Sequence, residues 1–466
     1  MAIIFLNILL VITNVMIITE HQNINQEWVI LHVLGSYKIS FNSDFITSIF
    51  ALMVSGLYLF TNLYSFYFLK AQENSELNKD LNPKFYFFFT PLAIMSALGV
   101  AYSANLLTLF IFYELLTLFT YPLVIQSFSD HARKVGKFYI TTLMCSSMFF
   151  LMFALIYLDQ NYGATEFTKE GIFSEQTSVK DIVILLICFV FGFSKSAIFP
   201  LHSWLPKAMV APIPVSALLH AVAVVKSGIF ALIKVFVYLF GLNYLKNMHQ
   251  QIPWSLDWLT YLGCFTMLYA GFIACRQDNL KKILAYSTIS QLSYMIVFLS
   301  LISNSTFTIS ILQMLSHSIA KITLFFAVGI IYIATHKVDI IEMKGMARAL
   351  PLPTGLFILA AFSIIGLPPS VGWILKGMIF KSIECTTLVE EVIITCLIIS
   401  SLMACYYYLK PIYFMLSPAS AQERPEIFYN NTKHLSLITL VIYSLSFVLF
   451  IYLDTIIASI DLFLKK

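Results

Sequence analysis

Long apolar stretches dominate the chain, and most are close to 20 residues, the length of a helix that crosses the hydrocarbon core of a bilayer. Of its 466 residues, 59% are hydrophobic and 11% are charged. A soluble globular domain carries about a quarter charged residues. The composition therefore predicts an all-α polytopic membrane protein. Thirteen candidate spans lie near 2–20, 43–69, 84–104, 105–128, 138–158, 182–201, 213–240, 256–275, 282–301, 307–334, 352–380, 391–409 and 436–460.

The basic residues of the connecting loops predict the orientation. If the N-terminus is cytoplasmic, sixteen lysines and arginines lie in inside loops, against seven in the outside loops and the C-terminal tail. Cytoplasmic loops carry the excess of basic residues, so we expect a cytoplasmic N-terminus. Residues 1–20 lack the basic start and the small-residue cleavage site of a secretory signal. We expect them to form a retained first helix.

Several classes of chemistry have no signature in this sequence. The seven cysteines mostly lie in apolar stretches and form no CxxC pair, which argues against a disulfide framework, a zinc site or an iron–sulfur cluster. There is no glycine-rich phosphate loop and no dinucleotide fingerprint. The net charge of +4 is too balanced to suggest nucleic-acid binding. We therefore expect no cofactor, no metal and no nucleic-acid partner, and any enzyme activity would depend on other subunits.

Five ionisable side chains lie deep inside the apolar spans. Each costs roughly 2.5–3.5 kcal/mol at the centre of a bilayer helix unless it finds a partner or water. Isolated structural charges are the simpler interpretation of any one of them, but so many together favour a proton or ion path. Lys234 lies nearer the end of its span, where it can extend to the interface, and is interpreted as structural. The five are Glu114, Lys195, Lys226, Lys321 and Lys376.

Prolines interrupt two of the spans beside these lysines. Residues 199–206 (FPLHSWLP) follow Lys195, and residues 366–369 (GLPP) precede Lys376. A broken helix cannot face lipid, so both breaks are expected to face protein or a hydrated cavity. The lysine comes before one break and after the other, an order that is typical of inverted repeats in transporters. The alternative is that the prolines only kink helices for packing. The predicted regions are 1–83, with N-terminal helices and a hairpin, 84–240 and 256–415, the two repeats, and 416–466, a C-terminal helix.

Several of these segments resemble a known family. They are Phe112-Tyr113-Glu114, FGFSKSAIFPLHSWLPKAMVAPIPVSALLHAVAVVKSG at 191–228, RQDNLKKILAYSTISQLSYM at 276–295, HSIAKITLFFAVG at 317–329 and GLPPSVGWILK at 366–376. In this order they resemble the proton-conducting membrane transporter family. That family comprises antiporter-like subunits of respiratory complex I and of membrane-bound hydrogenases, and large subunits of Mrp-type cation/proton antiporters.

The resemblance implies both an architecture and a set of site residues. It implies two inverted five-helix repeats, and it makes residues 27–41 similar to the family's extracytoplasmic hairpin, so that we expect the family's first helix to be missing here. It further implies a bacterial inner membrane location and other membrane subunits as partners. The implied residues are the Glu114–Lys195 pair, the bridging Lys226 with His220 beside it, His317 with Lys321, and the terminal Lys376.

The chemistry of these residues suits proton transfer. Burial disfavours a charged lysine and a nearby carboxylate favours it, so separating Glu114 from Lys195 would release a proton toward His220 and Lys226. His317 and Lys321 are four residues apart and share a helix face, which suits a relay toward Lys376.

Several functions stay open at this point. The chain is expected to be the proton-translocating subunit of a cation/proton antiporter, moving Na⁺ or K⁺ against protons, or of a complex-I-like oxidoreductase driven by redox chemistry elsewhere. Segment 159–181, the longest polar outside loop, is a candidate contact with a partner subunit. From another class, the chain would be a solute permease or a non-conducting scaffold. A permease should show a substrate-sized polar pocket in place of a lysine file.

Overall fold

The computed structural model describes residues 11–15, 27–34, 37–73, 82–163, 165–174, 177–419, 427 and 432–465. Within this part of the chain, one two-stranded ribbon accompanies a bundle of helices, which confirms the predicted all-α class. The strands are β1 (Trp28–Leu34) and β2 (Tyr37–Phe41). The main helices are α1 (Phe45–Glu73), α2 (Pro83–Tyr102), α3 (Leu106–Val124), α4 (Asp130–Tyr162), α5 (Val179–Gly192), α6 (Ile213–Phe240), α7 (Leu242–Gln251), α8 (Trp254–Cys275), α9 (Leu280–Ser300), α10 (Asn304–Thr335), α11 (Pro351–Ile365), α12 (Val371–Ser382), α13 (Leu388–Leu416), α14 (Lys433–Ile451) and α15 (Leu453–Lys465).

Among the described residues, ten helices are long and apolar enough to cross a membrane. They coincide with ten of the thirteen predicted spans. Two further predicted spans, 182–201 and 352–380, fall on shorter helices because proline-rich breaks divide them. The predicted span at 2–20 lies outside the described residues except for 11–15, so the full helix number stays a prediction.

The C-terminal region contains two helices where one was expected. Helix α14 ends at Ile451, and α15 begins after Tyr452. The carboxylate of Asp461 on α15 accepts a hydrogen bond of 2.5 Å from the Thr308 hydroxyl of α10. The break at Tyr452 therefore allows α15 to pack against α10 through this polar contact.

The predicted hairpin is present as the antiparallel β1–β2 ribbon, in which Trp28 pairs with Phe41 and Leu34 with Tyr37. The Asn105 side chain, at the start of α3, donates to the Lys38 carbonyl and to the Ser40 hydroxyl, each at 2.9 Å. These bonds fix the ribbon to one end of the bundle. That this end faces the outside remains a prediction.

Helices α6 and α10 form the centre of the molecule. Every residue of α6 is buried, and α10 is buried along most of its length. Apolar residues lie on all sides of both helices, which is the pattern of a helix surrounded by protein. Side chains on these two helices therefore meet other side chains and not lipid.

The proline-rich breaks lie where the sequence predicts them. After α5 the chain forms a short turn at Ser194–Ser196, then small helical turns at Trp204–Lys207 and Ala208–Val210, before α6 begins. In the second half, α11 ends at Gly366, whose φ of 84° suits glycine, and Ser370 caps α12. The two inverted repeats remain an interpretation of this arrangement.

Candidate functional site

The first break places Lys195 against α3. The side chain of Lys195 is fully buried, and its ammonium donates a 2.7 Å hydrogen bond to the carbonyl of Tyr113. The same ammonium lies 3.2 Å from the centre of the Tyr113 ring. In return, the backbone N–H of Lys195 donates to the Tyr113 hydroxyl at 3.0 Å. Tyr113 therefore holds both ends of this lysine, a role that sequence reasoning missed although Tyr113 lies in the quoted motif.

A glycine lets α6 approach this break. A methyl group at Gly228 would lie 2.4 Å from the backbone nitrogen of Ser196 and 2.6 Å from the carbonyl carbon of Lys195. A contact that close is possible only without a Cβ atom. Gly228 follows Lys226 by two residues, so this packing fixes the distance between the first two lysines of the site.

Glu114 is buried beside Lys195 without bonding to it directly. Neither carboxylate oxygen of Glu114 has a hydrogen-bond partner among the described residues. The two charged groups are nevertheless close enough to interact electrostatically. The Lys195 ammonium thus bonds to Tyr113, and the predicted pairing of Glu114 with Lys195, directly or through one water, stays a prediction.

Lys226 pairs with a histidine of the other half of the chain. Its Nζ lies 2.6 Å from Nδ1 of His317, joining α6 to α10, and both residues are buried. The family resemblance implies that His220 also acts beside Lys226, which stays a prediction. Both ring nitrogens of His220 lack a hydrogen-bond partner among the described residues, and its ring packs 5.4 Å from that of Phe325. The cross-helix pair between Lys226 and His317 is the shortest step between two ionisable groups of the site.

Lys321 lies one helical turn beyond His317 and is fully buried. Its ammonium donates to the Leu284 carbonyl at 2.9 Å, to the Tyr408 hydroxyl at 3.1 Å, and to the Ser287 hydroxyl. These acceptors come from α9 and α13 and are all neutral. A lysine with neutral acceptors can lose its proton without leaving a carboxylate unpaired.

Lys376 lies beside the second break and is less buried than the other lysines of the site. Its ammonium donates to the Ile365 carbonyl at 2.5 Å and to the Ser401 hydroxyl at 2.8 Å. Gly366 provides the space for this side chain, since a methyl group there would lie 2.8 Å from Cδ of Lys376. The carbonyl left free by the helix break thus becomes the acceptor for the lysine.

Lys234 does not reach the surface as the sequence interpretation supposed. It is 3% exposed, and its ammonium donates to the carbonyls of Ala101 at 2.6 Å and Ser103 at 2.5 Å. The end of α2 supplies both acceptors. Sequence spacing gives no sign of this, because the acceptors are backbone atoms of a distant helix end.

A cavity of about 940 Å³ with both polar and apolar lining residues opens near the start of α6. Lys207, Lys281, His131 and Ser129 are among its lining residues. The Lys281 ammonium donates to the Ala211 carbonyl at 2.8 Å, at the bend that precedes α6. The cavity lies on the side of the molecule whose loops are predicted to be cytoplasmic.

Comparison with known proteins adds the family. Residues 103–404 match the family described as NADH:quinone oxidoreductase/Mrp antiporter, transmembrane. A curated relative, the putative antiporter subunit mnhA2 of Staphylococcus haemolyticus, is 32% identical over 334 residues, which cover 68% of this chain and 40% of the relative. The protein of the same name from Staphylococcus aureus is 29% identical over 399 residues, 80% of this chain and 47% of the relative. The chain thus spans two fifths to about half the length of these relatives.

Two solved structures share the fold. One is the membrane-bound sulfane sulfur reductase, an archaeal respiratory membrane complex, with a TM-score of 0.81 and 20% identity over 98% of this chain and 90% of that chain. The other is the Mrp complex from Dietzia sp., with a TM-score of 0.81 and 18% identity over 99% and 90%. At such identities the likeness concerns the fold. The family match covers more than half of the chain, and the chain therefore belongs to the NADH:quinone oxidoreductase/Mrp antiporter family of membrane subunits.

Proposed function

We propose that this chain translocates protons along a buried axis as a subunit of a multisubunit cation/proton antiporter. The axis consists of Glu114, Lys195, His220, Lys226, His317, Lys321 and Lys376. The observation that carries the proposal is the 2.6 Å contact between Lys226 Nζ and His317 Nδ1, because it joins ionisable groups of the two halves of the chain in the protein interior.

This contact suits proton exchange in either direction. When the lysine is an ammonium, its N–H points at Nδ1 of a neutral imidazole; when it is an amine, it accepts a hydrogen bond from Nδ1–H. Moving the proton across the contact breaks one N–H bond and forms another. The other ring nitrogen, Nε2, has no partner among the described residues, so water at that atom would carry the proton on. Histidine is suited to this because it accepts and donates near neutral pH.

Glu114 acts as the switch in this proposal. Its carboxylate, which has no hydrogen-bond partner among the described residues, interacts electrostatically with the nearby ammonium of Lys195. Movement of α3 relative to the break would weaken this interaction and make Lys195 release its proton toward Lys226. Tyr113, which binds both the backbone and the ammonium of Lys195, couples the position of α3 to that of the break.

The relatives named as putative antiporter subunits favour an antiporter over a redox-driven pump, and we propose Na⁺ or K⁺ as the exchanged cation. In this proposal the partners are other membrane subunits and the surrounding lipid, and the outside loop 159–181 is one contact surface. The N-terminus is cytoplasmic, in a bacterial inner membrane. In this proposal protons enter from the cytoplasmic side through the cavity at the start of α6, whose lining reaches Ile213, seven residues before His220 on the same helix.

The permease alternative has one observation in its favour. The cavity of about 940 Å³ is large enough for a small polar solute. A permease would not need lysines bonded to neutral acceptors at Lys321 and Lys376, however. The buried axis therefore supports proton transfer better than solute passage.

The test replaces each residue of the proposed Glu114–Lys195 switch in turn. Glu114→Ala and Lys195→Ala are compared with the wild-type chain in its native complex, by proton movement in inverted vesicles at matched protein levels. Each substitution should abolish cation-coupled proton transport while assembly persists, and the exposed Lys246→Ala should leave it unchanged. Wild-type transport in either switch variant would exclude the proposed axis. Uptake of a solute without coupled proton movement would favour the permease.

A further inference from the structure

A second buried polar site lies at the ribbon end of the molecule, away from the axis. A cavity of about 190 Å³ is lined there by Asp44, Phe167, Lys169, Lys234 and Tyr238, among others. It has room for several waters, and its polar lining suits them. Lys234 is on α6, eight residues and so about 12 Å beyond Lys226, on the way to this end of the bundle.

Lys234 is held there by neutral oxygens. Its ammonium bonds to the Ala101 and Ser103 carbonyls, and the Ser103 hydroxyl lies at 3.2 Å. Asp44, at the start of α1, is near enough to interact electrostatically with both Lys234 and the Tyr238 side chain. One carboxylate oxygen of Asp44 is fixed by the backbone N–H of Thr47 at 2.8 Å. The cavity therefore contains an amine and a carboxylate that interact without a direct bond, as Lys195 and Glu114 do.

The cavity is covered by residues 167–172 of the loop between α4 and α5, called the cover below, and this cover is bound to α6. Helix α6 widens into a π-helical turn at Val235–Phe240, directly after Lys234. The carbonyls of Tyr238 and Leu239 in this turn accept hydrogen bonds of 2.9 Å from the N–H groups of Thr168 and Ile172. π-helical turns are frequent at functional sites. Here the turn supplies the carbonyls that bind the cover, and Phe167 of the cover lies over Lys234, 5.3 Å from its ammonium to the ring centre.

Gly171 and Gly241 permit this attachment. A methyl group at Gly241 would lie 2.4 Å from the Glu170 carbonyl oxygen, and one at Gly171 would lie 2.4 Å from the Phe240 carbonyl oxygen. Both glycines also have positive φ angles, 79° at Gly171 and 77° at Gly241. The cover and the helix end are thus fitted to each other at backbone distance, and the loop shields the cavity between them.

We propose that the cavity lined by Asp44, Lys234 and Tyr238 is a second proton site, through which protons pass between Lys226 and the aqueous phase at the ribbon end. The inference rests on the proposed proton transport of the chain and places an opening in its first half that acts in the same transport cycle as Lys376, so that loss of either one interrupts coupled transport. The Lys234 ammonium gives a proton to the Asp44 carboxylate, directly or through water, so that an N–H bond breaks and an O–H bond forms. The neutral carboxylic acid then loses its proton to the outside water. The amine is recharged from Lys226 through water.

A structural tether and a proton site respond differently to arginine. Arginine keeps the charge and the N–H donors but does not release its proton, so it preserves a tether and disables a proton site. Lys169 also faces the cavity, but from the exposed cover, and its ammonium lies 4.7 Å from the Phe463 ring. Tyr238 and Asp44 are the other titratable groups that face Lys234, and both are left unchanged in the arginine variant.

The experiment uses the intact complex in inverted vesicles, whose interior corresponds to the ribbon side, and varies the interior pH. We expect Lys234→Arg to assemble and to lower coupled proton transport by about 100-fold, the usual lower range for loss of a positioned proton-transfer group. Asp44→Asn should assemble, lower transport and remove its dependence on interior pH. Lys246→Met, an exposed lysine on the same side, should behave as wild type.

The outcomes separate this inference from the proposed function. If the wild type and Lys246→Met transport protons but Lys234→Arg and Asp44→Asn do so equally well, the cavity is structural and this inference is wrong while the axis stands. If Lys234→Arg does not assemble, the Asp44→Asn variant decides: transport that still depends on interior pH as in the wild type overturns the inference, and loss of that dependence supports it. If the wild type itself moves no protons, the proposed function fails, and with it this inference.

Discussion

The side chains of Lys226 and His317 come from positions 91 residues apart and meet with 2.6 Å between Nζ and Nδ1. They connect α6, in which every residue is buried, to α10, which is buried along most of its length. A buried ammonium is costly unless an acceptor faces it, and here the imidazole is that acceptor. The pair therefore stabilises the junction of the two halves, and in the proposed function it is also the step by which a proton passes between them.

Replacing His317 tests this pair. We expect His317→Ala to lower coupled proton transport by about 100-fold or more, since it removes the group that exchanges a proton with Lys226. His317→Gln offers an acceptor to the ammonium but cannot relay a proton, so it should restore assembly better than alanine does and transport no better. His434→Gln serves as the control, because His434 packs against Tyr67 at the periphery. Transport by His317→Gln at the wild-type rate would show that the histidine only supports the lysine.

Gly228 gives a test of packing that leaves all charged groups in place. Gly228→Ala forces a methyl group to within 2.4 Å of the Ser196 backbone nitrogen. Overpacking of this kind costs about 1–3 kcal/mol, more than the roughly 0.5–1 kcal/mol that alanine gains over glycine inside a helix. We therefore expect a lower unfolding temperature of the purified complex and reduced transport.

The matched control for this substitution is Gly355→Ala, because nothing lies within 4 Å of a methyl group at Gly355. It should leave the unfolding temperature unchanged or raise it slightly. Equal behaviour of the two variants would mean that the break at Ser194–Ser196 yields easily and does not fix the position of Lys195.

The sequence predicts the parts of this fold that depend on local pattern. Span length and apolar content locate helices such as α6 and α10, and prolines locate the breaks beside Lys195 and Lys376. Such features follow because every backbone N–H and C=O group in lipid must be hydrogen-bonded within the protein, a requirement that applies to each position of a spanning segment. They identify which residues are buried and charged.

The partners of those residues are not predictable in the same way. Lys195 bonds to the carbonyl of Tyr113, Lys226 to His317, and Lys234 to carbonyls at the end of α2. Each acceptor belongs to a helix far away in the chain, and most are backbone atoms that any residue type would supply. The identity of an acceptor therefore depends on how helices pack, which a single sequence does not show.

The ribbon is tied to the bundle by ionic contacts that should depend on pH. The Lys38 ammonium lies 2.8 Å from Glu166 and 2.9 Å from Glu27. The hydrogen bond to Glu166 and then that to Glu27 raise the pKa of Lys38 above its usual value, although burial opposes them. Burial raises the pKa of Glu27, but hydrogen bonds from Lys38 and Ser40 outweigh it, so this pKa lies below its usual value.

The directions of these two pKa shifts define the pH range in which the contacts stabilise the ribbon. The contribution of Lys38 is complete at neutral pH and is lost as the pH rises through its raised pKa. That of Glu27 is complete at neutral pH and is lost as the pH falls through its lowered pKa. Partly exposed pairs contribute about 0–1 kcal/mol, so Lys38→Met should speed hydrogen exchange of residues 28–41 by up to about fivefold at neutral pH.

Comparison at each pH isolates the contacts from the intrinsic pH dependence of exchange. The difference between Lys38→Met and wild type should shrink toward both the acid and the alkaline extreme. Lys180→Met, an exposed lysine near the start of α5, should show no difference at any pH. A difference for Lys38→Met that persists at both extremes would mean that the lysine acts through its packing and not through its charge.

Lys376 should show a defined order among its substitutions, because its neutral acceptors, the Ile365 carbonyl and the Ser401 hydroxyl, permit an uncharged side chain. A buried carboxyl group can hold and release a proton, since burial favours its neutral form, so Lys376→Glu should keep partial transport with a shifted pH optimum. Lys376→Arg should lose most transport because arginine does not release its proton, and Lys376→Ala should lose nearly all. Lys381→Ala, an exposed lysine on the same helix, is the control, and all variants are compared in inverted vesicles at matched protein levels. If arginine supports transport as well as lysine from about pH 6 to about pH 9, Lys376 is a fixed structural charge, and protons leave the axis elsewhere.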